Sequence, residues 1–148
     1  MGRYYATISG ENQEVADAIY EHYLPRFAGD DVAKTNIGVV VSLADKFDAI
    51  CGFFSVGIKP TGSQDPYALR RMALGILNTL IENKVSVPLD NLVKISLRQF
   101  ENKAEFNFNT VFDEIMEFMK LRLKNILLEQ KIRYDVVDSV INDISLVY

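Results

Sequence analysis

Apolar residues recur at spacings of three and four along nearly the whole of this 148-residue chain, and no stretch sustains the alternation of a half-buried strand. That periodicity confines the fold to amphipathic helices, whose apolar stripes must bury one another. It predicts an all-α helical bundle of about six helices, built either as one body or as two small helical subdomains. From Asn12 to Phe27, Val15, Ala18, Ile19, Tyr23 and Phe27 share one face, opposite Glu14, Asp17 and Glu21. Pro25 sits near the end of this helix, and Gly29-Asp30-Asp31 closes it. From Thr35 to about Val56 the apolar residues are dense enough all round to predict the central helix of the bundle.

Punctuation then marks the remaining elements. Gly57 to Pro66, GIKPTGSQDP, holds two glycines and two prolines and reads as an ordered, exposed loop. Asp65 followed by Pro66 predicts an N-cap and a first-turn proline, opening a helix with Leu69, Met72, Ala73, Ile76, Leu77 and Leu80 inside. Pro88 opens the next, with Leu89, Leu92, Val93, Ile95, Leu97 and Phe100 as its apolar set. ENKAEFN interrupts the pattern, and a subdomain boundary is expected there. A long helix follows from about Asn109 to Lys131, capped by Thr110 or Asn109, with Val111, Phe112, Ile115, Phe118, Met119, Leu123, Ile126 and Leu127 apolar. The last, Asp135 to Val147, packs Val136, Val137, Val140, Ile141 and Ile144.

Composition narrows the class. With 49% hydrophobic and 24% charged residues the chain has ample material for a core. A net charge of -4 excludes binding nucleic acid through the overall field, so any RNA contact requires local basic patches. The one cysteine, Cys51, forms no internal disulfide and reads as a structural thiol suited to a reducing compartment. No run approaches the roughly 20 apolar residues that span a bilayer, and the first residues lack a signal core, so no membrane and a cytoplasmic location are expected. The MGR start fails the myristoylation pattern at Ala6, where a hydroxyl residue is required.

Catalytic constellations are sparse. His22 is the only histidine, and neither HExxH nor CxxC accompanies it, so it reads as structural. GIKPTGS lacks the spacing of a phosphate-binding P-loop, and no dinucleotide fingerprint or nucleophile elbow is present. In LADKFD, Asp45 and Asp48 stand three apart, able to share a cation or to oppose Lys46 or Lys34. The pair is incomplete as a metal site, and buried acids more often pair with cations, which leaves Asp45 a weak metal candidate. Two basic groups suit phosphate better: Lys59 with Arg70 and Arg71, and Lys120, Arg122, Lys124, Lys131 and Arg133 with only Glu129 against them. The plainer reading of the second group is a solvated helix face that stabilises the helix dipole.

The run from His22 to Glu82 resembles the β subunit of the bacterial two-subunit glycyl-tRNA synthetase. Its most specific parts are YLPRFAGD, LADKFD and GIKPTGSQDPYALRR, and Gly2 to Ala6 and Gly10-Glu11 fit the same family. MKLRLKNILLEQKIRYDVVDSV is similar to the helical anticodon-binding module that this subunit shares with arginyl-tRNA synthetases. The resemblance implies residues 1–104 as an HD-like helical region and 105–148 as the start of the anticodon-binding module, an internal to C-terminal piece of a longer subunit. It also implies glycine attachment to tRNA, with ATP and Mg bound by the α subunit, no cofactor in this piece, and no catalytic residue in it. The implied partners are the α subunit, glycine tRNA and the rest of the β subunit. Asp45 matches the final metal-binding aspartate of HD-type phosphohydrolases, whose other ligands are not in this chain. Besides a tRNA-binding role, a docking scaffold without RNA affinity and a degenerate HD-type metal phosphohydrolase remain open.

Overall fold

The most apolar segment becomes the central helix of an all-α arrangement. A computed structural model describes residues 1–27 and 29–141. Seven helices lie among the described residues: α1 (Gly2–Ile8), α2 (Gln13–Glu21), α3 (Asn36–Ser55), α4 (Leu69–Glu82), α5 (Leu89–Arg98), α6 (Phe108–Glu129) and α7 (Tyr134–Ile141). The described residues contain no strand, only an isolated bridge between Thr61 and Gln64 inside the expected loop.

Helix α3 starts where its sequence signals it. The Thr35 hydroxyl accepts from the Gly38 N–H at 3.1 Å and itself donates to the Glu21 carboxylate at 2.5 Å. Gly38 is required at this junction, because a Cβ there would stand 1.9 Å from Glu21 Oε2. Val39, Leu43, Phe47, Ile50 and Phe54 face the core, while Val40, 65% exposed, does not. The helix is therefore apolar all round yet covered on one side only.

Around it α4, α5 and α6 close a single cluster of buried side chains running from Ala33 to Ile126, with Ile50, Leu77, Ile115 and Met119 fully buried. Phe54 of α3 packs on Phe118 of α6 at 5.2 Å between ring centroids. Of α7, Val137 and Ile141 are buried and Val136 is exposed. The expected positions Val140, Ile144 and the end at Val147 lie outside the described side chains and residues.

Several boundaries differ from expectation. Helix α1 is additional to the six; it is seven residues long and buries only Ala6, so it leaves almost no periodic signature. It is held by Arg3 to Asp17 at 2.6 Å. Helix α2 is capped by Asn12 as its sequence suggests but ends at Glu21, well short of Phe27. The chain turns at His22 and Tyr23 so that Leu24 enters the core, and Pro25, having no N–H, cannot continue the helix. Tyr23 and Phe27, expected on the buried face, are consequently exposed. Helix α4 begins at Leu69 rather than at Pro66, because Pro66 and Tyr67 form a turn and Ala68 takes a left-handed φ of 56°. The cap of α6 is Asn107, whose side chain accepts from Thr110 N at 3.0 Å, rather than Asn109 or Thr110.

Candidate nucleic-acid interface

Members of the two basic groups meet where α4 begins and α6 passes. The first N–H groups of a helix have no partners within it. In α4 they are met by Asp65, whose carboxylate oxygens accept from Leu69 N at 2.8 Å and Arg70 N at 3.0 Å. Arg70 Nη2 turns back to donate to the Gly62 carbonyl at 2.6 Å, tying helix to loop. On α6 the Arg122 guanidinium lies 3.9 Å from the ring centroid of Phe118, one turn earlier, and donates to the Phe118 carbonyl at 2.9 Å. Burial lowers the pKa of Arg122, the charge of Arg70 lowers it further, and Asp65 works the other way. Arginine stays charged in any protein environment, so the repulsion is borne rather than relieved by losing a proton. Among the described residues neither Arg70 nor Arg122 is in an ion pair with a carboxylate. Lys59 borders the adjoining 580 Å³ cleft with Phe118, Leu121 and Arg122, but its ammonium is held by Glu114 at 2.5 Å.

The rest of the second basic group is not one free patch. Lys120 pairs with Glu117 at 3.3 Å, Lys124 with Asp138 at 2.5 Å, and Arg133 with Asp135 at 2.8 Å. Lys124 also receives the Tyr134 ring at 4.4 Å, and its hydrogen bond to Asp138 raises its pKa while lowering that of Asp138. The expectation that only Glu129 opposes these cations is therefore overturned. The turn into α7 brings Asp138 back to Lys124, a proximity that linear spacing hides, while Asp135 meets Arg133 two residues before it. Lys131, at a left-handed φ of 61°, is exposed and in no ion pair among the described residues.

The acids of LADKFD are exposed, contrary to the buried pair expected, and among the described residues neither Lys34 nor Lys46 forms an ion pair with them. Lys34 pairs with Asp31 at 3.0 Å. Lys46 is the buried member, its ammonium donating to the carbonyls of His22 and Leu24 at 2.8 and 2.9 Å and to Ser42 Oγ at 2.6 Å. No group of three His, Cys, Asp or Glu side chains able to hold a metal assembles among the described residues. Cys51 is fully buried, and burial pushes its thiol up to about 11, far from a reactive thiolate at neutral pH.

Arg26 and Asp30 clasp each other beside α2 at 2.9 Å, and this hydrogen-bonded pairing lowers Asp30 to about 2. Because the folded value lies below the ordinary 3.8, the pair contributes stability that is fully present above pH 3.8 and is lost as pH falls through about 2. Urea unfolding across that window is expected to show a steeper acid loss for the wild type than for Asp30→Asn. Parallel curves would mean that the clasp contributes nothing.

The sequence model of the glycyl-tRNA synthetase beta subunit family matches residues 1–142. The chain belongs to that family. It is 53% identical to the glycine–tRNA ligase beta subunit of Clostridioides difficile (strain 630), over 98% of this chain and 22% of that protein. The beta subunit from Desulforamulus reducens is 52% identical over 95% of this chain and 21% of its own length. That from Syntrophomonas wolfei subsp. wolfei is 46% identical over 96% and 21%. The chain thus spans about a fifth of the length of these glycyl-tRNA synthetase relatives. Among the described residues no helix is long and apolar enough to cross a membrane.

Sequence reasoning treated the two basic groups separately and missed Phe118 as the platform of Arg122. The signal was present, since an aromatic residue four positions before an arginine on a helix places the ring beneath the guanidinium.

Proposed function

We propose that this chain is a tRNA-binding accessory part of the β subunit of glycine–tRNA ligase, supporting ATP-dependent attachment of glycine to its tRNA by the α/β complex in the cytoplasm. In this reading the α subunit binds ATP and Mg, and the chain's partners are that subunit, glycine tRNA and the rest of the β subunit. Residues 1–104 serve as the HD-like region and 105–148 as the start of the anticodon-binding module. The observation that carries the reading is that Arg122 feels the charge of Arg70 more than that of Asp65 where α4 meets α6, while neither arginine is in an ion pair with a carboxylate among the described residues. Two guanidiniums held together repel, and a phosphodiester backbone offsets that repulsion through bidentate, charge-assisted hydrogen bonds.

The test is a fluorescence-anisotropy titration of glycine tRNA and an unrelated tRNA at two salt concentrations. Salt-sensitive binding that favours glycine tRNA is expected. The double variant Arg70→Gln/Arg122→Gln should weaken it by roughly tenfold to a hundredfold and flatten the salt slope by about 1.4–1.8, because each phosphate contact contributes about 0.7–0.9. Lys124→Gln should weaken it far less, since Lys124 is already occupied by Asp138. An unchanged affinity in the double variant removes these arginines from the interface.

A second reading, a docking scaffold without RNA affinity, is favoured by a 710 Å³ apolar groove between α3 and α5 lined by Val40, Leu43, Phe47, Leu92 and Ile95. It predicts complex formation with the α subunit or the rest of the β subunit by a chain that leaves tRNA anisotropy flat.

A further inference from the structure

A separate cavity of 280 Å³ opens between the turn after α2, the middle of α3 and the start of α4. His22, Tyr23, Arg26, Asp45, Arg71 and Met72 are among the residues around it. Much of its charge is already engaged. Arg26 is clasped by Asp30, and the Lys46 ammonium is taken up by neutral oxygens. That leaves Arg71 and Asp45, both exposed. These opposite charges share the cavity yet form no ion pair with each other or with any other described residue.

The aromatic part of the wall is set in place. His22 Nδ1 lies 2.8 Å from the Ile19 carbonyl, and since a carbonyl oxygen only accepts, Nδ1 carries the proton and donates. The ring of Tyr23, itself 66% exposed, rests on the held imidazole with centroids 3.9 Å apart. The site therefore offers a cation, a carboxylate and a flat apolar surface. A bare phosphate fits poorly, because Asp45 repels it, and a metal cation fits poorly, because Arg71 does. A molecule with an anionic group at one end, a hydrogen-bond donor at the other and a planar ring between satisfies all three. The 280 Å³ volume falls just below the range for drug-sized ligand sites, about 300–1,000 Å³, so it suits one base with its phosphate outside and excludes a duplex.

We propose that this cavity takes a single unstacked RNA nucleotide whose base bears an exocyclic amino group. Its phosphate lies on Arg71, its amino group donates to Asp45, and its face stacks on Tyr23. This rests on the reading of the chain as RNA-binding and adds a base-selective site to the phosphate contacts of Arg70 and Arg122. Cytosine and uracil make the discrimination explicit, being equal in size but presenting an amino donor and a carbonyl acceptor at the same ring carbon. A carboxylate accepts from the first and repels the second, whereas an amide can serve either.

The experiment is a titration of this chain with hexacytidine, hexauridine and glycine tRNA. Wild type is expected to prefer hexacytidine by roughly tenfold. Asp45→Asn should abolish that preference while leaving the salt slope of tRNA binding unchanged, and Arg71→Gln should weaken both oligomers alike. Both side chains are exposed, so unchanged circular dichroism is expected to accompany these results. If the wild type binds glycine tRNA but binds the two oligomers equally or not at all, the pocket is overturned and the RNA-binding reading stands. A preference that survives in Asp45→Asn overturns it too. If neither tRNA nor oligomer binds, both readings fall together.

Discussion

Replacing Lys46 with methionine is expected to destabilise the fold by about 3 kcal/mol, because the stem is preserved while a buried set of acceptors loses its donor. The ammonium donates to the His22 carbonyl at 2.8 Å, the Leu24 carbonyl at 2.9 Å and Ser42 Oγ at 2.6 Å. Ser42 Oγ in turn donates to the Leu24 carbonyl at 3.2 Å, so the network closes on itself. These bonds fasten the turn after α2 to the centre of α3. Gly75 lets α4 come close over the top, where a Cβ would lie 3.2 Å from both the Lys46 stem and Pro25. Burial lowers the Lys46 pKa, with Asp45 the one charge opposing that shift. Methionine relieves the cost of burying the charge but leaves the His22 carbonyl without this donor, and each buried group so abandoned costs about 1–3 kcal/mol. At a urea slope of about 1–3 kcal/mol per molar, the midpoint should fall by about 1–3 M. A midpoint within a few tenths of a molar of wild type would show that desolvation and hydrogen bonding cancel at this site.

Lys46 also shows how far the sequence could be read. The stripe Val39, Leu43, Phe47, Ile50 and Phe54 fixes the inner face of α3, and Ser42 and Lys46, four apart, flank that stripe. Asp45 and Asp48 fall on the outer side, where the structure places them. The helical period therefore contained the answer, but the apolar residues elsewhere on the helix blur it, and the paired acids are the more conspicuous feature of the segment. The starts of α3 and α5 were legible because Thr35 and Pro88 are local signals. The end of α2 was not, since Tyr23 and Phe27 continue the period after the backbone has left the helix. The basic residues themselves were equally legible, but their neutralisation by Asp135 and Asp138 was not. Nor was the approach of Arg70 to Arg122, because the pairing of Lys124 with Asp138 depends on how α7 folds back on α6 and the second approach on how α4 packs against α6.

Ile115→Ala is expected to cost a further measure of about 3 kcal/mol, within the 2–5 kcal/mol range for truncating a fully buried isoleucine, and to do so in one cooperative transition. Ile115 sits on α6, beyond the interruption at ENKAEFN, yet it belongs to the same buried cluster as Phe47 and Ile50 of α3 and Leu77 of α4. A cavity there removes contacts from both sides of the expected subdomain boundary. If the helices unfold as one unit, amide protection in α3 and in α6 should fall by the same free energy, since both then exchange through the same global opening. Hydrogen exchange read separately over Asn36–Ser55 and Phe108–Glu129 decides the matter. Loss confined to α6, with α3 protected as in the wild type, would mean that α6 and α7 form a separately folding subdomain. In that case Arg70 and Arg122 face each other's charge across an interface between two folding units. Equal loss means that both arginines are carried by one core, so a charge change at Arg70 on α4 is felt by Arg122 on α6 without any hinge between them.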